Sequence, residues 1–135
     1  MKVNGRCHCG AITYEAQVEP NTINICHCRD CQTLTGSAFR ANIQAPASTF
    51  NLLSGTPRRY IKTAESGAKR VHAFCEACGS PVYSCDPQSP KSYSLRIGAL
   101  EQSEDLGRPV RQIWTKRRFS WLPKLEGVQD IPGQP

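Results

Sequence analysis

Seven of the eight cysteines fall into three short clusters: Cys7-His8-Cys9, Cys26-His27-Cys28-Arg29-Asp30-Cys31 and Cys75-Glu76-Ala77-Cys78. Separations of two and three residues are metal-ligand spacing, because one extended step or one tight turn aims both sulfurs at a single point. The count constrains the chain more than the clustering does. Cys7, Cys9, Cys75 and Cys78 together complete a four-coordinate site, and that site ties the N-terminus to the middle of the chain. Cys26, Cys28 and Cys31 supply three ligands and leave one position free. A closed site stabilises a fold, whereas an open one can act on a ligand.

A chain of 135 residues is most simply one domain, residues 1–135. Hydrophobic content of 39%, with 10 Gly and 10 Pro, points to a β-rich domain with many turns and a modest core tied by metal. Ile12, Tyr14, Ala16 and Val18 alternate with polar residues, as a half-buried strand does. Similar short strands are expected at residues 22–25, 39–43, 50–53, 58–63, 71–75, 81–85, 92–97 and 110–115. Arg29 to Thr35 reads as a single helical turn ended by Gly36. The tail after Glu126 is expected to be irregular. The fold class is therefore mainly β: packed antiparallel sheets in one zinc-stapled domain.

Eight cysteines could instead form disulfides in a secreted chain. Close pairs make poor cross-links, since bridging near neighbours removes little chain entropy. The first ten residues have no apolar core of a signal peptide, and no apolar run reaches the roughly 18 residues of a membrane span. Reduced thiols, a cytoplasmic location and no membrane partner are the expectation. The net charge of +6 is concentrated: Arg108, Arg111, Lys116, Arg117, Arg118 and Lys124 stand in a stretch without an acid. Such a stripe suits anionic partners, or simply a solvated face.

The local chemistry separates the two sites. Cys7 and Cys9 point to one face of an extended segment, and tetrahedral zinc needs its sulfurs about 3.7 Å apart. Cys75-x-x-Cys78 followed by Gly79 is a metal knuckle in which glycine supplies a positive φ. In the trio, the fourth ligand must be Cys85, a histidine, water or a substrate. His8 and His27 lie between cysteines and point away, as surface or hydrogen-bonding residues. Cys85 is read as core packing; ligation by it would close the second site. Three thiolates make zinc a weak Lewis acid but a good binder of a further thiol, which it deprotonates. That chemistry favours making or breaking a C–S bond over hydrolysis.

Taken together, Gly5-Arg6-Cys7-His8-Cys9-Gly10, Cys26-His27-Cys28-Arg29-Asp30-Cys31 with Gly36-Ser37-Ala38-Phe39, and Phe74-Cys75-Glu76-Ala77-Cys78-Gly79-Ser80-Pro81-Val82-Tyr83 resemble the glutathione-dependent formaldehyde-activating enzyme family, which includes centromere protein V. Arg96-Ile97-Gly98-Ala99-Leu100 and Trp121-Leu122 fit its C-terminal pattern. The resemblance implies a β-tent-like fold and two zinc ions per chain. The structural ion falls on Cys7, Cys9, Cys75 and Cys78, and the catalytic one on Cys26, Cys28 and Cys31. It implies a carbon–sulfur lyase that combines glutathione with formaldehyde, or the reverse. Gln112 stands where many members carry a histidine.

Three readings follow. In the first, an enzyme, Gly36 and Ser37 help orient a small thiol such as glutathione, and Arg40 and Arg96 meet its carboxylates. In the second, a zinc-stapled binding module, the basic and aromatic residues 108–121 contact nucleic acid or another anion. The same segment also reads as an ordinary strand pair with Trp114 and Trp121 inward. A third reading keeps the metal scaffold without activity.

Overall fold

The computed structural model describes all of residues 1–135. Its first element was not expected: β1, Lys2–Arg6, pairs antiparallel with β2, Thr13–Gln17. The polar residues Lys2, Asn4 and Arg6 mask a strand whose inward positions are Val3 and Gly5. Gly5 faces Tyr14 across the pair, and a Cβ there would fall 2.0 Å from the tyrosine ring. Glycine is thus the space that admits a fully buried Tyr14. β5, Asn51–Ser54, joins the far side of β2 and completes a three-stranded sheet.

The remaining strands are β3 (Ile23–Cys26), β4 (Arg40–Pro46), β6 (Arg58–Thr63), β7 (Lys69–Phe74), β8 (Pro81–Cys85), β9 (Ser92–Arg96), β10 (Pro109–Ile113) and β11 (Gln129–Asp130). They form an eight-stranded sheet in the order β11-β10-β3-β4-β9-β8-β7-β6. Pairing is antiparallel except that β10 runs parallel to both β3 and β11. The tail is therefore not wholly irregular, because Gln129 and Asp130 add a strand to the sheet edge. The expected 110–115 strand ends at Ile113: Trp114 adopts a left-handed φ of 56° and the chain leaves in a 3-10 turn, Thr115–Arg117. That exit breaks the alternation, and Trp121 is 71% exposed rather than inward.

The large sheet has two different faces, which follow from the period of two in each strand. One face carries Ile43, Ala45, Val71, Ala73, Cys85 and Leu95 and shares a core with Val3, Tyr14 and Ala16 of the small sheet. Phe50 stacks on Tyr93 at 4.5 Å, and Tyr83 meets Tyr93 edge-on at 4.7 Å, which closes the layer between the sheets. The opposite face carries the alternate residues Arg40, Asn42, His72, Ser84, Ser94 and Arg96. The side chains of Arg40, Asn42, His72, Ser84 and Arg96 are joined by hydrogen bonds, the Ser94 hydroxyl accepts from Gln44 and Arg70, and all of the row but Asn42 and His72 are buried. A buried polar row on a sheet is costly unless it is paired, and these hydrogen bonds supply the pairing. No helix is long and apolar enough to cross a membrane.

Candidate metal centres and active site

Cys7 follows β1, while Cys75 and Cys78 occupy the turn between β7 and β8. With Cys9 their sulfurs all lie within 4.8 Å of one another. Cys7 Sγ is 3.6 Å from Cys9 Sγ, which is 3.8 Å from Cys75 Sγ, close to the edge of a thiolate tetrahedron. The Ile12 amide donates to Cys7 Sγ at 3.2 Å. Gly79 has the positive φ expected of the knuckle, 77°, and its amide donates to the Cys75 carbonyl at 2.7 Å. Ser80 Oγ lies 3.3 Å from Cys78 Sγ; that contact, with the Cys9 and Ser80 amides, holds the Cys78 thiol down at about 5. Four sulfurs so spaced and so solvated by donors fit a thiolate-bound metal ion, since all-sulfur tetrahedra suit zinc and iron–sulfur chemistry.

The second cluster is local. Cys26 ends β3, Cys28 is the N-cap of α1 (Arg29–Thr35), and Cys31 lies in the first turn. The Cys31 amide donates to Cys28 Sγ at 3.3 Å, so sulfur replaces the usual capping oxygen. Hydrogen bonds from the Cys26 and Cys31 thiols push Cys28 down to about 2, while the same contacts push Cys26 up. One thiolate supported by two thiols is a set of donors ready to share a cation. No fourth cysteine, histidine or carboxylate joins these three. Cys85 belongs to neither cluster: it lies opposite Val71 in the core, 1% exposed, and burial raises its thiol.

The histidines divide as their flanks suggest. His8 is exposed. His27 is buried, with Nε2 2.7 Å from Gln112 Oε1. Gln112 donates its amide to Asp130 Oδ1 at 3.2 Å, so its oxygen accepts from His27 and fixes that ring with Nε2 protonated. Asp130 also pairs with Arg118 at 3.1 Å. The strand in the tail thus braces the cysteine loop.

A cavity of about 560 Å³ opens beside the trio on the polar face of the sheet, with Leu34 of α1, Arg40, Arg58, Arg59, His72 and Arg96 in its wall. Arg40 stands directly across from Cys26 on the neighbouring strand, and Arg96 stands across from Asn42. His72 Nδ1 lies 3.1 Å from Arg40 Nη1 and 3.3 Å from Arg96 Nη2, so it accepts from two guanidinium groups. Burial, then Arg96 and Arg40, pushes His72 down to about 3, which keeps the ring neutral. Burial and the Arg40 charge push Arg96 down to about 9.

Sequence reasoning singled out both arginines and missed His72. Its signal was its place between Val71 and Ala73, which puts it on the opposite face of β7. Gly36 and Ser37 lie outside the cavity wall, exposed at the end of α1. Their amides donate to Thr33 O and Gln32 O, both at 3.3 Å, as the helix cap. In the basic segment, Arg111 donates to Asn24 Oδ1 at 2.9 Å, and Lys116 lies 4.9 Å over the Trp114 ring.

A family model described as glutathione-dependent formaldehyde-activating enzyme matches residues 2–117. The chain belongs to that family. A Halomonas elongata protein, provisionally assigned as a glutathione-dependent formaldehyde-activating enzyme, is 29% identical over 84% of this chain and 73% of its own length. An uncharacterized lyase of Schizosaccharomyces pombe is 28% identical over 76% of this chain and 71% of its own. A crystal structure of a Rhodobacter sphaeroides protein superposes with a TM-score of 0.60 at 23% identity, covering 78% of this chain and 96% of that one. That likeness is one of fold. Membership makes this chain part of an enzyme family, and its two cysteine clusters are assembled so that each could hold a metal ion.

Proposed function

We propose that the chain is a zinc-dependent carbon–sulfur lyase that joins a glutathione-type thiol to formaldehyde and splits the S-hydroxymethyl adduct in reverse. Two zinc ions per chain are assigned, a structural one at Cys7, Cys9, Cys75 and Cys78 and a catalytic one at Cys26, Cys28 and Cys31. The observation that carries the reading is the trio without a fourth protein ligand, placed beside a cationic cavity. Zinc held there supplies a coordination position at which an incoming thiol loses its proton at neutral pH.

The residues of the chain do the rest. Arg40, across from Cys26, offsets the negative charge of the three thiolates. Arg40 and Arg96 hold the carboxylates of the thiol, and the capped turn at Cys28 keeps the three sulfurs on one side. The sulfur lone pair forms the new bond to carbon, the carbonyl π pair moves to oxygen, and the proton given up by the thiol ends there. The family and the names of both relatives support this reaction class. Eight unbridged cysteines suit a reducing compartment such as the cytoplasm.

Exchange between free and formaldehyde-bound glutathione, followed by NMR with zinc-loaded protein, is expected to exceed the uncatalysed rate by at least about a hundredfold. In Cys28→Ser it is expected to fall to background. Equal rates for the two proteins would remove the assignment. The exposed Trp121, 6.0 Å from Phe119, favours a second reading as a nucleic-acid surface. Salt-dependent oligonucleotide binding at low ionic strength would support it.

A further inference from the structure

The cysteine trio is local in sequence, but what holds its loop in place is not. His27 stands between Cys26 and Cys28, and its amide donates to Ile113 O at 3.1 Å. Its buried ring bonds to Gln112, which is held by Asp130, which in turn pairs with Arg118. A carboxylate only accepts, so Asp130 dictates which end of the Gln112 amide faces His27. Gln32 of α1 spans the same gap: its Nε2 donates to His27 O at 2.9 Å and to Arg117 O at 3.0 Å. The partners that reach the loop thus come from β10, the turn after it and the tail.

A second set of contacts runs through Trp114. Trp114, Ile131 and Cys28 all pack against the small cluster of Cys26, Cys31 and Ile113. Trp114 has φ 56° and ψ 39°, a left-handed conformation that disfavours a bulky side chain, so other contacts must hold it there. The tail supplies them. The Trp114 amide donates to Gly133 O at 3.2 Å, and the indole Nε1 donates to Gln134 Oε1 at 3.0 Å. Thr115 donates to Ile131 O at 3.1 Å, and Ile131 donates to Gln112 O at 2.8 Å. The four-cysteine site has no such dependence: β11 lies at one edge of the large sheet, and the β7–β8 turn with Cys75 and Cys78 lies near the other.

We propose that the tail, residues 129–134, is a latch that sets the metal affinity of the trio. Asp130, acting through Gln112 and His27, and Gln134, acting through Trp114, are positioning residues for Cys26, Cys28 and Cys31. Local geometry gathers the three sulfurs, and the docked tail keeps them at the separations a metal ion requires. Groups behind metal ligands commonly change affinity by about 10–100-fold. By linkage the effect is mutual, so an ion at the trio holds the tail down. The inference rests on the assignment of an ion to the trio, but not on the reaction carried out there.

The test is competition for zinc between the fully loaded chain and a chelator, read at equilibrium. The site lost in Cys28→Ser identifies the trio. Asp130→Ala is expected to weaken zinc binding at the trio at least about tenfold and to leave the four-cysteine site within about twofold. Asp130→Asn keeps an acceptor for Gln112 and is expected to recover most of that loss. Gln134→Ala changes only an exposed side chain near the chain end, so folding is not at issue, and a loss of about threefold is expected. In the reverse direction, the amides of Trp114 and Ile131 are expected to exchange with deuterium at least about threefold faster in zinc-loaded Cys28→Ser than in the parent. Unchanged affinity at the trio would overturn the latch. Equal weakening at both sites would do so too, because a tail that merely stabilises the chain acts on both. A parent chain that binds one zinc would overturn the latch and the lyase together. An affinity split without thiol–formaldehyde exchange would keep the latch and remove the lyase, and exchange without the split would do the reverse.

Discussion

The two sulfur clusters use the same residue in opposite ways. Cys7 and Cys9 come from the end of β1, and Cys75 and Cys78 come from a turn far along the chain, so their site exists only when both segments are folded. Cys26, Cys28 and Cys31 lie within six residues at a helix cap, so their site is nearly assembled by local geometry. Long-range ligands convert metal affinity into folding free energy, whereas local ligands do so only weakly. The closed site therefore lies between the small and large sheets, and the open one lies at the edge of the cationic cavity. On the proposed assignment, distance along the chain, more than ligand number alone, separates a staple from a working centre.

The comparison breaks most readily at the closed site. Structural zinc contributes about 10–16 kcal/mol in small domains, which matches or exceeds the roughly 5–15 kcal/mol that holds a typical domain together. Cys75→Ser is expected to abolish cooperative thermal unfolding, read by circular dichroism. Cys28→Ser is expected to cost only about 1–2 kcal/mol and keep the transition, because α1 retains its other contacts. If both substitutions cost the same, the division into staple and centre is wrong.

A smaller effect separates the polar face from the dry one. His72 faces Arg40, Arg96, Lys62 and Arg70, and it stays neutral down to about pH 3 in the folded chain. An unfolded histidine takes up its proton near pH 6.5. Between those values the unfolded state binds the extra proton, so stability falls as pH falls and none of this penalty remains above pH 7. The slope is at most about 1.4 kcal/mol per pH unit, and less here because the ring is only partly buried. His72→Gln is expected to flatten the acid limb of a denaturation series relative to the parent, with the protonation of the cysteines common to both. An unchanged limb would mean that the ring is wet and already charged.

How much of this was legible depended on sequence distance. The cysteine clusters, the positive φ of Gly79 and the cap at Gly36 follow from a few neighbouring residues, and each stands in the structure as expected. The alternating core of β2 and β7 was legible for the same reason. β1 was not, because three of its five residues are polar and Gly5 is useful only once Tyr14 packs on it. The parallel pairing of β10 with β3 joins residues more than eighty apart in sequence, for example Ile25 and Gln112. It carries no local signature. The cavity combines both cases: Arg40 and Arg96 were visible as cations, but the neutral His72 between them needs three strands in register before it has a role.

Cys85 gives the finest test of the contrast. It is the one cysteine outside both clusters, packed among Val71 and its neighbours in the core. A thiol there behaves as a small apolar group, and burial disfavours the thiolate that a metal would need. Cys85→Ala removes one sulfur from a tight core and is expected to cost about 1 kcal/mol. Zinc content should stay at two equivalents per chain, and thiol–formaldehyde exchange should be unchanged. Loss of one equivalent would place Cys85 beside the trio and close the site. The vacancy on which the contrast between the two clusters depends would then belong to neither.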